Sequence, residues 1–464
     1  MSITTQQQPS PSVDRLRAAV AGAVLTPGDA GFDAELTGFN LAATPAASIV
    51  VAATCADDVA AAVRYAAFHG LRVGVRATGH GAALEGAGQL IVTTSRMTDV
   101  AVDPESKTAR AAAGARWRDV AAATAPHGLT GRVGSSSSVG VVGFTLGGGL
   151  SLLGREFGYA ADHVRALEVV TADGAVRTVD ADSDPDLFWA LRGGRDGLGI
   201  VTAIEFGLVE LAQIYGGGIF FAGDSARDVL HAWRRWAPAL PPEAGTSVAI
   251  TRLPPDPNLP PPLQGQVVAH LRYTHTGDPD VAEALLAPMR TCGAILLDGV
   301  GVMPVAALDA VHMDPPGPLP AADRGAALSA LPAEAVDAIL AVAGPDVPSP
   351  LAIVEIRLLG GALRRPHGTD NAVTGRDAAF AVTAIGVCAG PLGDQVDTHL
   401  RAVTDAVAPW SAGALLSFCG LPAAVRAALW PAEQRARLDE IRRRHDPNGV
   451  LSPVDPALDA RGDG

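Results

Sequence analysis

An α+β fold in two parts is what the sequence predicts, and three observations predict it. Residues 45–118 and 119–208 each mix helical and strand periodicity, as two small α/β units would. From about residue 210 the texture changes to alternating stretches broken by Pro254-Pro255-Asp256-Pro257, Pro260-Pro261-Pro262, Pro315-Pro316-Gly317-Pro318 and Pro345-Asp346-Val347-Pro348. Two glycine-dense segments lie in the first part, one of them where a strand ought to turn.

Each element has a local reason. Asp57 to Ala66 reads as an amphipathic helix with acidic residues in its first turn, and Leu71 to Arg76 alternates like a strand. Leu167-Glu168-Val169-Val170, a turn at Ala172-Asp173-Gly174, and Val176-Arg177-Thr178-Val179 make a hairpin. Asp184 caps a helix with Pro185 at its first position, and Trp189 in that helix reads as core. Further on, Val267 to Tyr273 alternates, Ala333 to Leu340 is helical, and a last helix runs from Glu433 to Arg444. Residues 1–12 and 456–464 read as disordered tails; the parts between are 13–208, 209–412 and 413–455, with no internal repeat.

Composition sets limits. A chain of 464 residues can bury a large core, which at 5% aromatics must be aliphatic. A net charge of −14 argues against nucleic acid or an anionic membrane as partner. Lys107 is the sole lysine, which leaves no lysine for a Schiff base or a phosphate loop elsewhere. Cys55, Cys292, Cys388 and Cys419 are widely spaced, lack metal-ligand pairing and read as buried small hydrophobes. Met1 to Ser12 has no apolar signal core and no run approaches the ~18 apolar residues of a membrane span, so a soluble, cytoplasmic protein is expected.

The chemistry lies in the glycine-dense segments. A strand entering Arg76-Ala77-Thr78-Gly79-His80-Gly81-Ala82 leaves several backbone N–H groups pointing one way, which suits a pyrophosphate, with the His80 imidazole beside it. The second segment, from Gly131 through Gly134-Ser135-Ser136-Ser137-Ser138-Val139-Gly140 and Gly143 to Gly147-Gly148-Gly149, lets backbone approach a large flat ligand. Neither matches Gly-x-Gly-x-x-Gly or a phosphate loop. Together they point to a covalently tethered flavin.

In order and spacing these segments resemble the bacterial berberine bridge enzyme-like branch of the vanillyl-alcohol oxidase, PCMH-type FAD-linked oxidoreductases. The resemblance extends through Gly158-Tyr159-Ala160-Ala161-Asp162-His163, Val169 to Gly174, Asp186 to Gly194, Gly197-Leu198-Gly199-Ile200-Val201-Thr202 and His445 to Leu451. It is dense over 45–208 and looser over 350–453. It implies an FAD domain over 13–208 and an antiparallel-sheet substrate domain backed by helices, roofing the flavin, over 209–412. It also implies that residues 413–455 return to the FAD domain. The cofactor contacts it implies are Arg76, Ala77, Thr78, Gly79, His80, Gly81, Ala82, Gly134, Ser135, Ser136, Val139, Gly140, Gly143, Gly147, Gly148, Gly149, Asp162, Gly199, Ile200 and Val201.

The resemblance further implies an 8α-histidyl bond at His80. A second tether is not expected, because the cysteine of doubly tethered relatives is Ser136 here, and serine forms no thioether. Val139 matches the position beside the flavin's reactive edge, where a small side chain admits dioxygen; it also reads as an apolar filler between glycines. The usual bases of the family are replaced by Ala384 and Phe418. Oxidising an unactivated alcohol needs a base in step, typically a roughly 10²–10⁴-fold effect, whereas a hydroquinone demands less. That absence, with Thr78-Gly79-His80-Gly81, resembles the mitomycin radical oxidase type, implying oxidation of a reduced aromatic or quinone natural product with O2, for antibiotic resistance or tailoring. The alternative enzyme is an alcohol or sugar oxidase with a base among Glu355, Arg357, His270 and Tyr273, each also readable as an ordinary sheet residue. A drug-sequestering binding protein with incidental flavin turnover is the alternative of another class.

Overall fold

The computed structural model describes residues 13–81, 90–418 and 429–451. Three large sheets organise them, beside a two-stranded pair of Leu129–Thr130 with Val209–Glu210. In the first, Ile49–Ala52 and Val73–Arg76 each run parallel to Leu90–Thr93, and Ala23–Leu25 adds antiparallel to Ile49–Ala52. The helix Ala56–His69 covers this sheet with its alanine and valine side and stops at Gly70, whose φ of +66° favours glycine. Asp58 in its first turn is buried and accepts from Ala21 N, Gly22 N and both donors of Thr54, fastening the N-terminal segment to the helix.

The second sheet is antiparallel throughout, in the order Val100–Asp103, Thr108–Ala112, Ile200–Gly207, Val164–Val170 and Val176–Val179. The expected hairpin is its last pair, with the Asp173 carboxylate accepting from Thr171 Oγ1 and Ala175 N to close the turn. The helix Pro185–Gly194 opens on Asp184, whose carboxylate accepts from Leu187 N at 3.0 Å, and Trp189 is buried as expected.

The third sheet has eight strands and forms the second domain. Its path runs Ile295–Asp298, Gln213–Ala222, Val267–His275, Ala244–Arg252, Leu351–Leu358, Phe380–Val387 and Ala321–Leu328, with Gly301–Pro304 also paired to Gln213–Ala222. Helices Ala226–Trp236, Ala333–Ala343 and Val396–Ala406 cover one face, burying Trp233, Ile339 and Leu400 against Leu271, Ile356 and Val382. The other face carries the polar residues of the site. The last helix, Ala432–His445, packs Leu438 and Ile441 into the first domain's core, and Val450 O accepts from Val73 N at 2.8 Å.

Two expectations change. Cys55 and Cys388 are exposed, so they are not the buried hydrophobes their spacing suggested, and Cys292 is half-buried. Ala82, Cys419 and the two tails lie outside the described residues, as does the side chain of Phe418. Among the described residues no helix is long and apolar enough to cross a membrane.

Candidate cofactor and active site

The strand Val73–Arg76 delivers the His80 loop, and the turn is made by Gly79 at φ +71°. A side chain there would strike both the Arg76 guanidinium and Gly38 Cα. The loop is pinned from the N-terminal side, since Phe39 N donates to Thr78 O at 3.0 Å and Asn40 N to Gly79 O at 2.9 Å. Phe39 also stacks flat on the His80 ring, 3.9 Å between centroids and 12° from parallel. The imidazole is held at both edges: Nδ1 lies 3.0 Å from Thr78 Oγ1 and Nε2 lies 3.0 Å from Ser138 Oγ. Burial first, then the nearby Arg116 charge, lowers its pKa to about 4, with Asp314 acting weakly the other way.

Ser138 belongs to the second glycine-dense segment, which faces the first. A Cβ on Gly140 would touch Thr78 and Ala77 at 3.3–3.8 Å, so the two loops lie within contact distance there. Ser138 Oγ continues to Ser136 Oγ at 2.7 Å. Ser137 reaches across to the second domain, donating from N (2.7 Å) and Oγ (2.5 Å) to the Asp309 carboxylate. Val139 is half-buried against the core, with its carbonyl taken by Trp117 N.

These residues fit an FAD. Arg76 is buried at 4% exposure, yet neither terminal nitrogen of its guanidinium has a hydrogen-bond partner among the described residues. A buried cation without an acceptor calls for an anion, and the phosphates of FAD supply one beside Gly79. Gly143, on the helix Val141–Leu146, has nothing within 4 Å of where a Cβ would stand, leaving bare backbone beside the cradle.

Several of the expected contact residues also pack within the protein. Gly134 and Gly149 lie against the Phe144 ring, Gly148 against Val373, and Gly147 O accepts from Ser417. Gly199 is closed off by Val169, and Ile200 and Val201 put buried side chains into the two cores of the first domain. Asp162 is a larger correction. Its carboxylate has no exposed surface and accepts from Arg376 at 2.5 Å, Asn371 at 2.7 Å and Tyr159 N at 2.9 Å, so it joins the two domains and hydrogen-bonds to none of the described residues of the His80 loop.

The roof is set by strand register. His270, Ala249, Glu355 and Thr383 are partners in one row of neighbouring strands, and Arg272, Ser247, Arg357 and Ala381 in the next. Both rows face the first domain, where Thr274 from the same face reaches Leu152 O. Glu355 is buried and clasped: Arg357 donates Nε and Nη2 to Oε1 at 3.1 and 3.0 Å, Arg272 Nη1 lies 3.5 Å away, and His312 Nε2 3.4 Å. Burial alone would raise its pKa, but the two arginines outweigh that and hold it well below the usual carboxylate range. Held as an anion in this way, Glu355 is a weakened base, and its carboxylate orients two arginines. His270 is fully enclosed, stacked on Phe220 at 3.8 Å and accepting from Arg272 Nε, and its pKa is driven down by burial. Tyr273 is corrected outright: it faces the helices, bonded to Ala282 O within the apolar core.

Sequence reasoning missed Arg272, His312, Asp314 and Asp323. Arg272 and His312 complete the clasp, and a cavity of about 20 Å³ beside them, with Ser247 and Arg357 also on its wall, has room for a water. Asp314 follows Met313, a non-glycine residue at φ +54°, and is half-buried within electrostatic range of both Arg272 and His80. Asp323, one row beyond Thr383 on the same face, has its carboxyl pushed up by burial, against the pull of Arg195. The signal for Arg272 was present in the alternation of Val267 to Tyr273; the other three required register. A wider cleft of about 860 Å³ lies at the far end of the second sheet, around Lys107, Arg132 and His163. Two of its charged groups are engaged within the protein: Lys107 with Glu210, and Arg132 with the carbonyls of Phe157 and Gly207.

Comparison with known proteins agrees with this geometry. Residues 47–180 match the FAD binding domain family. (R)-6-hydroxynicotine oxidase of Paenarthrobacter nicotinovorans is 30% identical over 294 residues, covering 61% of this chain and 61% of that protein. FAD-linked oxidoreductase pgmH of Aspergillus terreus is 28% identical over 294 residues, 62% of this chain and 58% of its own. Each alignment thus spans less than two thirds of the relative. Among solved structures, 6-hydroxy-D-nicotine oxidase from Arthrobacter nicotinovorans superposes with TM-score 0.80 at 24% identity, over 97% of this chain and 100% of that one. BBE-like 1 of Physcomitrella patens does so with TM-score 0.81 at 18% identity, over 95% and 98%. At such identities these likenesses speak for the fold. The matched FAD domain, the two facing glycine loops and the antiparallel roof support a PCMH-type FAD-linked oxidoreductase, and the chain has a berberine bridge enzyme-like fold.

Proposed function

We propose that this protein is an oxidase that carries FAD on His80 through a single 8α-histidyl bond and oxidises a reduced aromatic or quinone-type natural product with O2. The observation that carries this reading is the clasped Glu355, the roof carboxylate best placed to serve as a base and locked as an anion between two arginines. Bound FAD would supply a two-electron acceptor that returns its electrons to oxygen.

The chain's own residues do the rest. Arg76 and the backbone of the His80 loop would hold the phosphates. Arg272 and Arg357 present positive charge to the roof face, which favours a substrate hydroxyl acidic enough to bind as its anion. Val139 is small, leaving oxygen a route to the flavin's reactive edge. The hydroxynicotine oxidase relative, named for a substrate with a hydroxylated aromatic ring, supports this class. A mitomycin radical oxidase-type role, in resistance or tailoring, fits the same half-reaction.

A sugar or alcohol oxidase is the second reading, favoured by the likeness to xylooligosaccharide oxidase from Myceliophthora thermophila, TM-score 0.79 at 20% identity. It would need Asp314 or Asp323 as base. A flavin-bearing drug-binding protein is the third.

The test is acid precipitation with intact mass, then oxygen uptake with hydroquinones and sugars. One flavin of added mass in the wild type, lost in His80→Ala, with many turnovers on a hydroquinone, is expected. Turnover on sugars alone would select the second reading, and strictly stoichiometric protection the third. Val139→Leu should slow reoxidation in air; unchanged reoxidation would remove that residue from the account.

A further inference from the structure

We propose that, for a flavin bonded through Nδ1, Ser138 and Ser136 form the proton path by which His80 takes it up. This rests on the covalent reading above. The two edges of the imidazole are held at equal distance but not by equivalent groups. Nδ1 meets Thr78 Oγ1, a side chain of its own loop that has no further hydrogen bond among the described residues. Nε2 meets Ser138 Oγ, which passes on to Ser136 Oγ at 2.7 Å, and both serines are half-buried. Thr78 is half-buried like the serines, and what separates the edges is that one stops at a single hydroxyl while the other continues through a second. Phe39 stacked on the ring disfavours a flip that would exchange the edges.

A neutral imidazole has one lone-pair nitrogen and one N–H. When Nδ1 forms its bond to the 8α carbon, the ring turns cationic until the Nε2 proton leaves. Burial and the Arg116 charge both disfavour that cation, so the proton needs an exit, and Ser138 accepts it while handing its own to Ser136. The balance closes: the Nδ1–C bond forms, one methyl C–H bond and the Nε2–H bond break, and two electrons pass through the isoalloxazine to dioxygen. The dioxygen leaves with the two protons as hydrogen peroxide. Ser136, at the position where doubly tethered relatives place their cysteine, thereby has a different task in this chain.

The test compares wild type, Ser138→Ala, Ser138→Thr and Ser136→Ala, purified with their flavin. Acid-releasable flavin is read by absorbance and attached flavin by intact mass, before and during incubation with added FAD in air. Peptide mapping with NMR identifies the bonded nitrogen. Ser138→Ala should bind flavin but attach it roughly 100-fold more slowly, the size of a lost acid–base group. Ser138→Thr should attach near the wild-type rate, and Ser136→Ala should lie between. Attachment at the wild-type rate in Ser138→Ala, or a bond at Nε2, would overturn the proposal. So would loss of bound and attached flavin together in that variant, which would make Ser138 a binding residue. Release of all flavin from the wild type would instead sink the covalent reading, and is distinguishable because no variant would then differ.

Discussion

Burial, helped by the nearby Arg116 charge, disfavours the protonated form of His80, and that has a measurable sign. His80 and His163 have pKa values lowered from 6.5 to about 4 and about 3, in both cases chiefly by burial. Between those values and 6.5 the unfolded chain binds protons that the native protein does not, so stability is complete above pH 6.5 and is lost as pH falls towards 3. The thermal midpoint should decline from pH 7 to pH 4, less steeply in His163→Gln; a flat profile in both proteins would contradict the assignment. Arg76 gives a second prediction. Arg76→Met in a His80→Ala background should weaken FAD binding about tenfold or more by fluorescence titration, since a charge-assisted contact is lost. The same change should leave the flavin-free protein no less stable, because it removes a buried charge without an acceptor. Both residues were legible in the sequence because their loop is local. Ser138 is 58 residues from His80, and no periodicity announces that contact.

At the scale of elements, parity decides what a strand contributes. Val267–His275 carries Ala269, Leu271 and Tyr273 on one side and His270, Arg272 and Thr274 on the other, so Tyr273 belongs with the apolar set and faces the helices. That was readable in the alternation; that Arg272 meets Glu355 was not, because it depends on Ala244–Arg252 lying between their strands. The same distinction explains Asp162, whose place in the motif suggested the cofactor but whose partners Asn371 and Arg376 lie more than 200 residues away. Asp162→Ala should destabilise the protein by about 3–5 kcal/mol, the range for removing one partner of a buried ion pair, read by denaturant melts. A loss below about 1 kcal/mol would mean that the junction is held by other contacts.

At the scale of the whole molecule, the bridges that tie the roof to the cradle include Asp309 on Ser137, and Asn40 with Leu41 on Leu319 and Ala321. Asn40 is the stricter of them, because its side chain exchanges both hydrogen bonds with Ala321 while its backbone holds Gly79. Asn40→Ala should increase amide exchange in 76–81 and 319–323 together, whereas exchange confined to one segment would show that the bridge does not couple them. A chain made from its N-terminus exposes this segment early, yet its partner at Ala321 follows 281 residues later. The loop that bears His80 therefore cannot be closed on both sides until more than two thirds of the polypeptide has been synthesised. Capture of the flavin becomes a late event in the life of the nascent chain, and a ribosome stalled before residue 321 should present a finished-looking sequence motif that holds no colour.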